Sequence, residues 1–372
     1  MKVIISAAGT GGHINPGIAI ANKIKEKAPA SEIIFIGTNR GLENDLVPRA
    51  GYELKTIDVY GLKKEISFTN LKHILKSILS RKDVEKIFDE FNPDIVIGTG
   101  GYICGPVFSV ATTRKIPTLL HESNAFPGKA VKMFAKKVDE ILVGFEETKD
   151  LLKECKKVVV TGTPTKIRKL DISNERKKEI LESIGVKSNL PIVLVYGGSQ
   201  GAQKINEAMT ELIKLNKIDK FQIIWATGTK QFDVVKENFE KENIYINSIK
   251  NVKLLPYIYN MEELMNISDL LICRSGAMTI TEISIVGKPA IFIPLPSISA
   301  NRQEDNALVL KRIGAAKMIL NSEVNGKNLF EEINSIIENK EELLEMGKLA
   351  NTKAPSNVEE KIYEEINKLI KK

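Results

Sequence analysis

Four times along this chain a short run of strand-forming residues ends in a glycine-rich loop, and a helix-period segment follows. The loops are Gly9-Thr10-Gly11-Gly12-His13, Gly98-Thr99-Gly100-Gly101-Tyr102, Gly197-Gly198-Ser199-Gln200-Gly201-Ala202 and Arg274-Ser275-Gly276-Ala277. A strand that turns tightly into a helix is the repeating element of a parallel α/β sheet. The first half of the chain carries strand patterns at Val3–Ala7, Ile33–Gly37, Asp94–Gly98, Thr118–His121 and Glu140–Gly144. The second half carries them at Val158–Gly162, Ile192–Tyr196, Phe221–Ala226, Lys253–Leu255, Leu270–Cys273 and Ala290–Pro294. With 372 residues the chain exceeds one ordinary core. The expected fold is α/β, with two doubly wound Rossmann-like domains facing across a cleft. Their boundary falls near Gly162-Thr163-Pro164-Thr165, where strand gives way to turn chemistry, which sets domains of 1–162 and 163–355. Val358, Ile362, Ile366, Leu369 and Ile370 lie at helical spacing and predict a final amphipathic helix, about 356–372.

Composition excludes several classes. A content of 43% hydrophobic and 27% charged residues reads as soluble and globular. No apolar run is long enough to span a bilayer. The strand pattern starting at Lys2 leaves no room for a signal peptide, so a cytoplasmic location is expected. Cys104, Cys155 and Cys273 have no paired spacing, and the histidines are limited to His13, His73 and His121, so neither a disulfide framework nor a metal site is expected. A net charge of +7 suits a polyanionic partner: nucleic acid, an anionic membrane or a phosphate-rich substrate.

The loops narrow the ligand. Asn15 and Pro16 read as the N-cap and first residue of a helix, whose N-terminus favours an anion. A dinucleotide fingerprint fails because Ile14 occupies its third glycine position and Gly37-Thr38-Asn39 lacks the ribose-binding carboxylate. The third loop lacks the lysine of a nucleotide-triphosphate loop. Glu282, one turn into the helix after the fourth loop, is placed to accept both hydroxyls of a ribose, against its plainer role as a solvated helix carboxylate. No Asp-x-Asp pair is present to hold a divalent ion, so a diphosphate must be met by backbone N–H groups and helix dipoles. No cofactor is expected.

With these motifs in order, the sequence resembles the MurG family of bacterial transferases over essentially its whole length. The matching pieces are Gly9-Thr10-Gly11-Gly12-His13 with Pro16-Gly17, Gly100-Gly101-Tyr102 with Gly105-Pro106, and His121-Glu122-Ser123-Asn124. They continue with Gly197 to Ala202, Arg274 to Ala277, Thr281-Glu282, and Gln303 with Asn306-Ala307. The resemblance implies a GT-B type fold and transfer of N-acetylglucosamine from UDP-N-acetylglucosamine to undecaprenyl-pyrophosphoryl-N-acetylmuramyl-pentapeptide, the lipid I to lipid II step of peptidoglycan biosynthesis. It implies an N-terminal domain that binds acceptor and membrane, a C-terminal domain that binds donor, and a final helix that returns to the first. Donor contacts would come from Thr10, Gly11, Gly12, Asn124, Ser199 at the diphosphate, Ile258 through its backbone to uracil, Ala277, Glu282 and Gln303. Acceptor contacts would come from Gly100, Gly101 and Tyr102. Where many members have Gly-Asn-Pro-Val-Arg, this chain has Gly162-Thr163-Pro164-Thr165-Lys166, so either Lys166 or Arg168 would meet the diphosphate.

The implied reaction is inverting displacement at the anomeric carbon without a metal, and it needs a base for the acceptor 4-hydroxyl. His13 suits that task, since a neutral imidazole titrates near working pH and a helix N-terminus disfavours its protonation. Its plainer roles are to hydrogen-bond its loop or to bind a phosphate. Glu122 is the alternative base, and His121 reads as structural. Competing readings are a transferase of this architecture on another acceptor, a UDP-N-acetylglucosamine 2-epimerase, and a silent nucleotide-sugar sensor. Leu71, Ile74, Leu75, Ile78 and Leu79 form a helical stripe bordered by Lys63, Lys64, Lys72, Lys76, Arg81 and Lys82. That pattern fits core packing or an interfacial helix on anionic lipid, placing the protein peripherally on the cytoplasmic face of the cell membrane, with no nucleic-acid partner.

Overall fold

The computed structural model describes residues 1–59, 68–186, 189–198, 200–215, 217–241, 243–245, 249–296 and 302–371, the side chains of 68–79 excepted. It contains two compact units, residues 1–165 with 355–372 and residues 166–354. The first runs β1 (Lys2–Ala7), α1 (Gly11–Lys27), β2 (Glu32–Gly37), α2 (Glu43–Arg49), β3 (Glu53–Thr56), α3 (Phe68–Phe91) and β4 (Ile95–Gly100). It continues with α4 (Cys104–Thr113), β5 (Thr118–Glu122), α5 (Lys129–Phe134), β6 (Glu140–Val143), α6 (Glu146–Lys149) and β7 (Val158–Val160). The second unit runs α7 (Asn174–Ser183), β8 (Ile192–Tyr196), α8 (Gln203–Lys214), β9 (Gln222–Ala226), α9 (Phe232–Glu240), β10 (Val252–Leu255) and α10 (Met261–Ile267). There follow β11 (Leu270–Cys273), α11 (Ala277–Val286), β12 (Ala290–Phe292), α12 (Gln303–Lys311), β13 (Ala316–Met318), α13 (Gly326–Glu338) and α14 (Lys340–Thr352). The last helix, α15 (Val358–Ile370), belongs to the first unit.

Both sheets are parallel. Their strand orders are β3-β2-β1-β4-β5-β6-β7 and β10-β9-β8-β11-β12-β13. In each, the winding reverses beside the first strand, between β1 and β4 and between β8 and β11. Such switch points open a crevice at the carboxyl ends of the strands. The pleat sorts the first sheet's core into two layers: Ile4, Ile34, Val96 and Ile141 on one face, Val3, Ile5, Phe35 and Ile97 on the other. Both faces are buried, and the strands accordingly read as continuous apolar runs.

Three sequence expectations change. Val158–Val160, grouped in the sequence with the second half, pairs with β6 and closes the first sheet. β3 and β13, edge strands of four and three residues, were not read from the sequence, because Glu53-Leu54-Lys55-Thr56 and Ala316-Lys317-Met318 carry too little apolar pattern. Helix α1 begins at Gly11 with Thr10 as N-cap, a turn earlier than the Asn15-Pro16 signal, so Pro16 lies inside the helix. Its missing N–H leaves the carbonyl of Gly12 without an intrahelical partner, and Gly12 is exposed to water.

The expected final helix is present. Val358, Ile362, Ile366 and Leu369 join the core layer of Ile14, Ile18 and Ala21, each burial contributing about 1.5–3 kcal/mol relative to exposure. Glu360 pairs with Lys23 and Lys27 at 3.1 and 3.0 Å. Beneath the helix lies a charged cluster. Glu140, fully buried, sets Oε2 3.1 Å from Lys157 Nζ, while its Oε1 has no partner. Lys157 also pairs with Glu365 of α15, and Lys368 holds the other Glu365 oxygen at 2.7 Å.

Candidate active site

At the first switch point the loops after β1 and β4 interlock. The glycines at 100 and 101 have φ of 120° and 90°, which L side chains rarely adopt. A Cβ on Gly100 would stand 2.5 Å from the His13 ring, and one on Gly101 would stand 2.7 Å from Ala8 O. Thr99 Oγ1 donates to His13 O at 2.7 Å. His13, partly buried in the first turn of α1, sets Nδ1 3.1 Å from Ala8 O. A carbonyl only accepts, so the proton is assigned to Nδ1, and the neutral ring presents its lone pair at Nε2. That is the form a general base needs. Thr10 caps α1 by position but gives no side-chain hydrogen bond, which leaves the first amides of the helix available to a ligand. Tyr102 is 40% exposed just before α4.

At the end of β5 the two adjacent candidates separate. Burial pushes His121 down to about 4, and its Nε2 donates to Gly162 O at 3.0 Å, so it is a neutral core histidine. Glu122 spends both oxygens on its own turn: Oε1 accepts from Asn124 N and Nδ2 at 2.9 Å each, and Oε2 accepts from Gly128 N at 2.6 Å. It shapes the loop that carries Asn124 and has little capacity left for a substrate proton.

One carboxylate in this region is not apparent from the sequence. Glu43, fully buried, accepts from Gly9 N at 2.9 Å, Thr38 N at 2.9 Å and Thr38 Oγ1 at 2.6 Å. Burial opposes its charge, but the Thr38 hydroxyl and the Gly9 and Thr38 amides outweigh that and hold its carboxyl below the ordinary value. The sequence cue is Gly41, where a Cβ would sit 2.0 Å from Glu43 Oε2.

In the second unit the loops after β8 and β11 open onto a cavity of ≈ 660 Å³. Gly197, Gly198, Gly201, Arg274, Gly276 and Gln303 are among its lining residues. Gly201 has φ 78°, and a Cβ there would meet Thr227 O at 2.1 Å, so the loops after β8 and β9 also require glycine at their contact. The N-cap positions of α8 and α11, Ala202 and Gly276, supply no side-chain cap, so two sets of unpaired N–H groups begin beside this cavity. Arg274 is tied to Ile293 O at 2.8 Å and Asn321 Oδ1 at 2.7 Å, and Lys204 adds a second cation to the lining, paired at 3.8 Å with Glu207, which also lines it. Gln303 Oε1 accepts from Leu295 N at 2.9 Å, and its own backbone carbonyl accepts from Ser275 Oγ at 2.7 Å, tying α12 to the fourth loop. Uncapped backbone amides at two helix starts give this cavity the donors that a polar anion would need.

Among the other donor candidates, Ala277 is buried at the first turn of α11, and Glu282 stands further along that helix, where its charge pushes Tyr196 and Cys273 up after the larger effect of burial. Ile258 is buried beyond β10, between Tyr257 and the 92%-exposed Tyr259. Neither Glu282 nor Ile258 lines the cavity, and neither do Lys166 and Arg168, which are exposed at the start of the second unit. Ser199 lies outside the described residues, as do the side chains of Lys72, Leu75, Lys76, Ile78 and Leu79. Burial pushes Cys104 to about 11 and Cys273 to about 12, so neither is a thiolate nucleophile at neutral pH. Among the described residues no cluster of His, Cys, Asp and Glu is arranged to hold a metal, and no helix is long and apolar enough to cross a membrane.

Comparison with known proteins covers both units. Residues 3–143 match the glycosyltransferase family 28 N-terminal domain, and residues 192–362 match the glycosyltransferase family 28 C-terminal domain. The UDP-N-acetylglucosamine–N-acetylmuramyl-(pentapeptide) pyrophosphoryl-undecaprenol N-acetylglucosamine transferase of Acetivibrio thermocellus is 42% identical over 374 residues, covering 100% of this chain and 99% of its own. The crystal structure of Acinetobacter baumannii MurG superimposes with a TM-score of 0.78 at 26% identity, covering 99% of each chain. The UDP-GlcNAc 2-epimerase of Neisseria meningitidis, bound to UDP-GlcNAc, shares the fold at a TM-score of 0.64 and 18% identity over 99% of this chain and 100% of its own.

Proposed function

The chain belongs to glycosyltransferase family 28, and we propose that it transfers N-acetylglucosamine from UDP-N-acetylglucosamine to N-acetylmuramyl-(pentapeptide) pyrophosphoryl-undecaprenol. The observation that carries this reading is identity of 42% along the full length with a transferase of that name, spanning both units rather than one motif. The Rossmann-like fold alone is shared with an epimerase and so does not decide the reaction.

In this reading the first unit takes the acceptor and the second takes the donor. The amides at the starts of α8 and α11, with Lys204 and the Gly197–Gly201 loop, receive the diphosphate of UDP, and Gln303 and Ala277 face the sugar. Ser199, Ile258, Glu282 and either Lys166 or Arg168 complete the donor site as the family pattern implies. The acceptor 4-hydroxyl oxygen forms a bond to the anomeric carbon while the bond from that carbon to the diphosphate oxygen breaks. UDP leaves with the electron pair, and the configuration inverts. His13 Nε2 takes the hydroxyl proton, its lone pair being set by the bond from Nδ1 to Ala8 O. Helix-start amides stabilise the charge that grows on the departing diphosphate. The stripe from Leu71 to Leu79 with Lys72 and Lys76 meets anionic lipid, as a polyprenyl-anchored acceptor requires.

The test is incubation with labelled UDP-N-acetylglucosamine, with and without the lipid acceptor. Label should move to lipid only when acceptor is present. Epimerised donor without acceptor would make the protein an epimerase, and binding without turnover in either condition would make it a sensor.

A further inference from the structure

The Ala8–Gly9 peptide group has a distinct partner on each side. Its N–H donates to Glu43 Oε2 at 2.9 Å, and its C=O accepts from His13 Nδ1 at 3.1 Å. We propose that Glu43 is a positioning residue for His13, acting through this one peptide plane: a carboxylate–peptide–imidazole relay that fixes the tautomer of the ring. The proposal rests on the reading of His13 as the base and places a carboxylate behind the carbonyl that orients its ring.

Each link in the relay is held on its far side. Glu43 Oε1 is anchored by the amide and hydroxyl of Thr38 at 2.9 and 2.6 Å, so the carboxylate cannot rotate away from Gly9. Gly41 and Gly37 clear its path, since a Cβ would come within 2.0 Å of its Oε2 and 2.8 Å of its Cγ respectively. Gly9, at φ 95°, turns the peptide so that its N–H points toward Glu43 and its carbonyl toward His13. The same carbonyl is approached by Gly101 and the ring by Gly100, where side chains would intrude at 2.7 and 2.5 Å. Strands β1, β2 and β4 are neighbours in the sheet, so all of these contacts converge on one end of it.

The chemistry follows from polarisation. An ionised carboxylate accepting the N–H pulls electron density through the amide toward its oxygen, which strengthens the carbonyl as an acceptor. The carbonyl then holds the proton on Nδ1 and leaves Nε2 as the basic nitrogen. A carboxylate bonded directly to a histidine does the same in hydrolytic triads, and loss of the outer partner of a metal-bound histidine typically costs 10–100-fold. Here the carboxylate is kept one peptide away, fully buried and out of reach of substrate.

The deciding measurement is ¹⁵N NMR of histidine-labelled protein, in which only His13, His73 and His121 give signals and His13→Ala identifies the first. In Glu43→Gln the His13 nitrogens should move from the Nδ1–H pattern toward a mixture of tautomers, and kcat should fall roughly tenfold or more with donor KM nearly kept. Thr38→Val, which removes the shorter of the two hydrogen bonds to Oε1 while keeping the charge and the backbone amide, should shift both readouts in the same direction by less, and it serves if Glu43→Gln does not fold. In a His13→Ala background Glu43→Gln should cost no further kcat. Unchanged His13 tautomer signals in folded Glu43→Gln and in Thr38→Val overturn the relay whatever kcat does, and so does a further tenfold loss in the His13→Ala background. A tautomer shift with kcat retained supports the relay and refutes His13 as the base.

Discussion

Replacing Glu140 by glutamine should stabilise the protein in alkaline solution and leave it unchanged in acid. Glu140 is fully buried with one oxygen unpartnered, and it shares Lys157 with Glu365. Burial, reinforced by a hydrogen bond to Glu365 and by its charge, pushes its carboxyl from 4.5 to about 7 against the pull of Lys157. The sign follows from proton counting. Between these two values the folded chain holds a proton that the unfolded chain releases, so stability falls as pH rises through the window. Forced ionisation across it corresponds to roughly 3 kcal/mol, and water reaching the 40%-exposed Lys157 reduces this to ~2 kcal/mol. Glu365 works in the opposite direction. Burial raises it, but Lys157 and Lys368 hold it down to about 2, so its contribution is present above about pH 4.5 and is lost below. At pH 5 wild type and Glu140→Gln both carry a neutral group of one shape and should melt together. At pH 8.5 the variant should melt about 4–8 °C higher, the span of ~2 kcal/mol for a unit of this size. Thermal unfolding followed by circular dichroism at the two pH values, with hydrogen exchange of α15 amides, reads both numbers. An equal or lower midpoint for Glu140→Gln at pH 8.5 would refute the reasoning.

Three further outcomes are expected. Glu282→Ala should weaken UDP binding by about 1.5–3 kcal/mol in a calorimetric titration if its carboxylate holds the ribose diol; unchanged affinity in folded protein removes it from the donor site. Transfer should persist in excess EDTA, because the sequence has no Asp-x-Asp pair; loss of activity restored by manganese or magnesium reveals a metal requirement. Binding to anionic vesicles should be reversible and salt-sensitive, and Lys72→Glu with Lys76→Glu should weaken it, each cation contributing about 1 kcal/mol; equal sedimentation with neutral and anionic lipid counts against an electrostatic membrane face.

The fold was legible wherever burial on both faces wrote an unbroken apolar run, as at Val3–Ala7 and Ile192–Tyr196. It was illegible at β3 and β13, where edge position removes the need for such a run. The start of α1 departs from the strong local signal of Asn15-Pro16, because Thr10 already serves as N-cap and the proline is accommodated inside the helix. Glycine loops announced the interlocked carboxyl ends of both sheets, since close backbone approach leaves a direct trace in residue type. Glu43 left almost none. Its role depends on a contact 34 residues away with a backbone amide, and any residue at Gly9 other than proline carries the same amide. His121 and Glu122 illustrate the converse. Adjacent and equally suggestive in sequence, they are assigned by burial and bonding to the core and to a loop.

The placement of α15 has a consequence for biosynthesis. Four of its residues complete a core layer begun by α1, yet they are translated after every residue of the second unit. A nascent chain therefore carries the first sheet with the α15-facing surface of α1 uncovered while residues 166–354, contiguous in sequence, emerge and close first. The usual order of N-terminal folding ahead of C-terminal is thereby inverted for the completed units. During that interval the α15-facing surface of α1 lacks its cover, which arrives only after residues 166–354 have been made.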